Sequence, residues 1–226
     1  MKKILSITFF VFASSIVLAQ DYKFETGIQG GAGITDIAYN NSLFNNSYKP
    51  RLGYTGSLFL QYNFNKYFSL RADPGVDRKG AKNVMEIPDP FGNASAKSNI
   101  VGKTSYMTIP ILFRAGIGNK IRGFVNAGPY AGFFLYAKDV LKLPGENFTF
   151  TDKAGSGGHK IDFGITSGVG FLVPVKEQLY ISFELRENMG LVNMNKKLPA
   201  PYQNYSTKNF SANLLIGIAY RFGSKK

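Results

Sequence analysis

Cysteine and tryptophan are absent from this 226-residue chain, and histidine occurs once. Without cysteine there is no disulfide, no thiolate nucleophile and no site for a lipoprotein anchor. One histidine and no cysteine leave almost no ligands for a transition metal. Acidic residues are scarce too: 14 Asp and Glu stand against 27 Lys and Arg, for a formal net charge of +13. Glu86 and Asp89 could hold Ca²⁺ weakly, but a solvated surface pair is the simpler reading. No segment beyond the N-terminal leader has about 18 consecutive apolar residues, so no transmembrane helix is expected. No cofactor or metal is expected either.

Residues 1–19 have the form of a secretory signal. Lys2 and Lys3 open it, Ile4 to Leu18 is apolar apart from small polar residues, and Val17-Leu18-Ala19 offers a small-residue cleavage site before Gln20. An exported chain does not meet nucleic acid, so the basic charge is not expected to serve one. Basic residues beside the headgroups of outer-membrane lipid and lipopolysaccharide explain it more simply. Residues 20–226 then form one domain. Its 25 glycines and lack of long helical patterns favour β structure.

The clearest pattern lies at the C-terminal end. Phe210, Ala212, Leu214, Ile216, Ile218, Tyr220 and Phe222 alternate with Asn209, Ser211, Asn213, Leu215, Gly217, Ala219 and Arg221. Side chains of a strand point to opposite faces in turn, so one face is apolar and the other small or polar. Similar alternation marks eight segments: 24–35, 52–64, 67–78, 104–117, 122–137, 160–173, 179–191 and 209–222. Residues 65–66, 118–121 and 174–178 read as tight turns. Residues 36–51, 79–103, 138–159 and 192–208 read as long polar loops. An even strand count with alternating short and long connections predicts an all-β, eight-stranded antiparallel up-and-down transmembrane β-barrel. The short turns and both termini would face the periplasm and the long loops the exterior, placing the protein in a bacterial outer membrane.

The expected lipid face includes Leu58, Leu60 and Tyr62 of the second segment and Met107, Ile109, Ile111 and Phe113 of the fourth. In the seventh it includes Leu179, Ile181, Phe183, Leu185 and Met189. No charge is expected mid-strand on these faces. Tyr62, Phe64, Phe68, Tyr220 and Phe222 would form an aromatic girdle at the short-turn end. The opposite register directs Arg71, Asp73, Arg114, Asp162, Glu184, Arg186 and Arg221 inward, with Gln29, Tyr106, Asn126, Tyr130 and Asn188 beside them. An eight-stranded bore is just wide enough to be filled by side chains, and buried charges need partners, so this set reads as a lumen-filling ion-pair network. Its alternative is a narrow ion path.

Catalysis has little to stand on. His159 lies near Asp152, Ser156 and Asp162 in sequence, but proximity in a glycine-rich loop does not create a nucleophile, a base and an orienting group. Ala154–Lys160 lacks the spacing of a phosphate loop. A non-enzymatic protein is expected. The Asn-, Tyr- and Lys-rich stretches 40–49 and 196–208 fit partner-binding loops and ordinary surface loops equally.

Several segments together resemble the PorT-like outer-membrane β-barrel family of the Bacteroidetes. These are Gly27–Ile34, Tyr106–Leu112, Ala127–Gly132, Phe163–Ile165 with Gly168–Gly170, and Glu184–Asn193. The last is similar to the family's Arg-Tyr-x-x-Gly-Leu-x-Asn stretch, with Glu187 in place of the usual aromatic. The resemblance implies an eight-stranded barrel, and its name-giving member implies an accessory subunit of a secretion or assembly apparatus, with other outer-membrane proteins as partners. A stand-alone adhesin or ligand-binding barrel is the alternative, followed by a narrow channel or a lipid-modifying enzyme. Tyr220-Arg221-Phe222 resembles the aromatic-x-aromatic signal read by the barrel-assembly machinery, although Gly223-Ser224-Lys225-Lys226 follows it.

Overall fold

A computed structural model describes residues 22–39, 48–88, 94–143, 146–153, 159–194 and 206–223. The strands are β1 (Phe24–Tyr39), β2 (Tyr48–Lys49), β3 (Arg51–Asn63), β4 (Phe68–Ala72), β5 (Gly75–Lys79) and β6 (Lys82–Pro88). They continue with β7 (Ala94–Ile117), β8 (Arg122–Leu143), β9 (Glu146–Asp152), β10 (Ile161–Pro174), β11 (Leu179–Gly190) and β12 (Thr207–Phe222). The wall runs β1, β3, β4 with β5, β7, β8, β10, β11, β12 and back to β1, an antiparallel up-and-down ring of eight. It closes along β1 and β12, in register from Phe24 opposite Phe222 to Tyr39 opposite Thr207. Closure leaves no exposed edge along the wall.

Alternation decides which side chains go where. In β12 Asn209, Ser211, Asn213, Leu215, Gly217 and Ala219 are buried, while Leu214 and Ile216 are 68% and 59% exposed. The barrel thus has its apolar side chains outside and a largely polar core, as suits a wall surrounded by lipid. At the short-turn end Phe24 lies 5.4 Å from Tyr62 and 5.6 Å from Phe222, ring centre to ring centre, and Tyr62 lies 5.4 Å from Phe64. The turns there are locally encoded. Asn65 Oδ1 accepts from the backbone N–H groups of Tyr67 and Phe68, both at 2.8 Å. Gly118 opens its turn at φ 124°, a conformation that favours glycine.

The structure departs from the sequence expectation in three places. The third wall strand is interrupted at Asp73 and Pro74, because proline has no N–H for the ladder. Register survives the gap: Ala72 faces Ile111 and Gly75 faces Thr108. Second, the spans 79–103 and 138–159 are not simply loops. β7 and β8 continue outward as a long ribbon, and β6, β9 and the two residues of β2 pair onto it in the order β2-β6-β7-β8-β9. The sequence there mixes polar and β-branched residues without the clean alternation of a lipid-facing wall. Third, the outward face of β11 is not free of charge. Glu187 stands between Leu185 and Met189 and pairs across to Ser167 of β10 and Ala212 of β12.

Candidate functional site

Inward-facing polar groups of the barrel form three tiers. In the lowest, near the short turns, Arg221 Nε donates to Glu25 Oε2 at 2.8 Å, joining β12 to β1, and its guanidinium lies 3.9 Å from the Tyr180 ring centre. In the middle, Arg71 Nε is 2.5 Å from Asp73 Oδ1, and Arg186 Nη2 is 2.7 Å from Asp73 Oδ2. Arg186 Nε is also 2.5 Å from Glu184 Oε1, whose second oxygen lies 3.3 Å from Arg114 Nη2. Gln29 spans two members: its Nε2 donates to Asp73 and its Oε1 accepts from Arg71. In the upper tier, Lys79 Nζ, Tyr130 Oη and Asn209 Nδ2 all donate to Asp162 Oδ2, at 3.0, 3.1 and 3.0 Å.

Stacking completes the network. Arg71 lies 3.6 Å from the Phe59 ring centre, Arg114 3.8 Å from Phe124, and Lys79 4.5 Å from Tyr130. A desolvated cation over an aromatic face gains about 2 kcal/mol or more. Glycines on neighbouring strands make room for these rings. A Cβ on Gly27 would lie 2.6 Å from Phe59 Cζ, one on Gly164 2.5 Å from Tyr130 Cε1, and one on Gly170 2.6 Å from Phe124 Cζ. The void lined by Thr55, Asp73, Asp77, Arg186, Asn188 and Asn213 has a volume of about 10 Å³. That is close to the smallest space able to hold one water molecule. Chemically, this interior locks the wall: removing one member of a buried ion pair costs about 3–5 kcal/mol.

The structure brings Arg71, Asp73, Arg114, Glu184 and Arg186 into one cluster. It puts Asp162 in the upper tier and Arg221 in the lowest. Two partners escaped the sequence reading. Lys79 falls just beyond the expected end of the third strand, although it continues the inward series of Asp73 and Asp77. Glu25 shares the inward register of Gln29, a signal that was available. Tyr220 and Phe222 point outward at the short-turn end, 45% and 38% exposed. His159 is exposed, with its backbone N–H bonded to Met194 O at 3.0 Å. Asp162 turns instead into the lumen. Ser156, Asp89 and most of the stretches 40–49 and 196–208 lie outside the described residues, as does the leader, and the same holds for the Glu86 side chain.

The family model described as an outer membrane protein beta-barrel domain matches residues 18–196. Among solved structures, the attachment invasion locus protein Ail of Yersinia pestis is 14% identical over 88% of this chain and 99% of its own, with a TM-score of 0.43. Neisserial surface protein A is 14% identical over 88% of this chain and 97% of its own, also at 0.43. Outer membrane protein W of E. coli is 11% identical over 91% and 100%, again at 0.43. Among curated proteins none matches the chain.

Proposed function

As the chain belongs to the outer-membrane protein β-barrel domain family, we propose that it is a non-enzymatic integral barrel that serves as an accessory subunit of a larger envelope complex. The filled lumen leaves the outer wall and the external face to do the work. The observation that carries the reading is Glu187. Its carboxylate sits on the lipid face near the outer end of β11, flanked by the small side chains Ser167 and Ala212. A charge on this face of a barrel is destabilising to a degree that depends on depth. A partner strand or helix bringing Lys, Arg or an amide to that spot offsets the cost. The resemblance to PorT-like barrels of the Bacteroidetes makes a secretion or assembly apparatus the natural setting. On this reading residues 1–19 are removed on export, and Tyr220 and Phe222 engage the barrel-assembly machinery.

The test is mass spectrometry of what co-purifies with the tagged protein from gently solubilised outer membrane, for the wild type and Glu187→Leu. A stoichiometric membrane partner that is lost in the variant supports the accessory role. Recovery of the wild-type barrel alone overturns it. A second reading has its own observation: Phe148 and Phe150 of β9 are 44% and 61% exposed on the external sheet, where an adhesin or ligand-binding barrel would carry aromatic anchors. Loss of surface binding in Phe150→Ala, with complex formation intact, would favour it.

A further inference from the structure

Two pairs of lysines face each other across the external ladder. Lys103 of β7 is directly opposite Lys138 of β8, and Lys49 of β2 is directly opposite Lys82 of β6. Like charges in such positions destabilise a sheet. All four share one face with Arg78. Paired residues lie on the same face and alternate residues return to it, and the chain of pairings runs Arg78–Ser105–Tyr136 and Lys82–Val101–Val140. Arg78 Nη2 donates to Tyr136 Oη at 3.0 Å, and Lys138 lies 5.7 Å from the same ring centre. These contacts hold Arg78 and Lys138 in place without neutralising either. On this face the described side chains of β5, β7, β8 and β9 include no acid; Asp36 of β1, which follows the outward Ile34, and Glu86 of β6, opposite Lys97, share its register. The nearby carboxylates Asp139 and Asp152 fall on the opposite, inner face, because Asp139 pairs with Phe150 and Asp152 with Ala137.

The height of the cluster matters as much as its sign. The face continues the lipid-contacting wall, since Arg78 follows the exposed Val76 and Lys138 follows the exposed Phe133 and Leu135. Arg78, Lys103 and Lys138 are the first charges on the outward face of β5, β7 and β8 above the apolar band, where a barrel wall leaves the hydrocarbon. An asymmetric outer membrane presents phosphorylated glycolipid at that level.

We propose that Lys49, Arg78, Lys82, Lys103 and Lys138 form a docking face for the phosphate-bearing headgroup of an outer-leaflet glycolipid. The phosphates sit between the opposed lysines and convert each repulsive pair into a bridged one, while the acyl chains lie along Val76, Met107 and Phe133. The inference rests on the outer-membrane placement and not on the accessory role.

The test uses the full folded protein in zwitterionic nanodiscs, titrated with bisphosphorylated lipid A, with the same lipid after removal of its phosphates, and with inorganic phosphate. The double variant Lys103→Gln/Lys138→Gln is compared with Lys120→Gln/Lys176→Gln, which removes the same charge at the periplasmic turns. Each lysine near a headgroup contributes about fivefold in affinity, so the first variant should bind lipid A about 25-fold more weakly. The second should bind like the wild type. Equal weakening in both variants, or equal affinity for the dephosphorylated lipid, overturns the proposal. Inorganic phosphate competing at the same concentration as lipid A would assign the cluster to free phosphate and overturn it too. Stability without lipid A is the folding control: the Lys103→Gln/Lys138→Gln barrel should be at least as heat-resistant as the wild type, and a less resistant one removes the premise of repulsion.

Discussion

Arg186 reaches across the lumen from β11 to Asp73, Nη2 to Oδ2 at 2.7 Å, and meets it at the interruption between β4 and β5. The gap in the third wall strand is therefore held from inside, by a carboxylate that also accepts from Arg71 and Gln29. Asp73→Ala leaves Arg71 without a carboxylate and Arg186 with Glu184 alone, and should cost about 3–5 kcal/mol of barrel stability. Urea unfolding in micelles, followed by the gel-mobility difference between folded and unfolded forms, measures it. Asp73→Asn keeps the shape and part of the hydrogen bonding and should cost less. Equal stability of Asp73→Ala and the wild type would show that the middle tier contributes nothing net.

A filled interior should not conduct. In planar bilayers the wild-type barrel is expected to give no discrete current steps. Steps that change in size or ion selectivity with Arg71→Ala would show that the three tiers line an ion path rather than close it.

Glycine is required at some wall positions and incidental at others. A Cβ on Gly27 meets both the Phe59 ring and the Ile218 carbonyl oxygen, whereas one on Gly56, on the outward face, finds only the Gln29 carbonyl at 4.0 Å. Gly27→Ala should destabilise by about 1–3 kcal/mol through overpacking. Gly56→Ala should be neutral or stabilise by under about 1 kcal/mol, because it removes freedom from the unfolded chain. Thermal melts of the two variants should separate in that order. If they coincide, the interlock of glycine and ring does not limit stability.

The external β8–β9 ribbon should respond to pH. Burial, and then the neighbouring Asp152 carboxylate, push the Asp139 carboxyl above the ordinary aspartate range. A carboxyl with a raised folded-state pKa contributes stability that is fully present below its unfolded value, about 3.9, and is lost as pH rises through the folded value. Hydrogen exchange of the β9 amides should therefore be slower at mildly acidic pH than at neutral pH, after correction for intrinsic rates. Asp139→Asn should remove the difference. An unchanged pH response in that variant would locate the titrating group elsewhere.

The Phe210–Phe222 alternation was plain in the sequence because facing is a local property, fixed by the two-residue period of a strand. The same period put Arg114, Asp162, Glu184 and Arg186 inside. It also put Glu187 outside, a position the run of apolar residues around it obscured. The β4–β5 break was signalled by Pro74, but its consequence was not, since the gap is stabilised by Arg186 from the far wall. The external sheet escaped because its mixed polar and β-branched residues carry no apolar period to reveal it.

By itself, the sequence determined that this chain would alternate apolar and polar faces over strands long enough to cross a membrane, and which residues would face inward. Only the tertiary structure decided which inward charges meet. Arg221 and Glu25 are 196 residues apart, and they pair because the ring closes between β1 and β12. The same is true of Lys79 with Asp162 and of the opposed Lys103 and Lys138. These pairings depend on how each strand slides against its neighbour as the sheet curls shut, and that offset is set by the whole ring and not by any one segment.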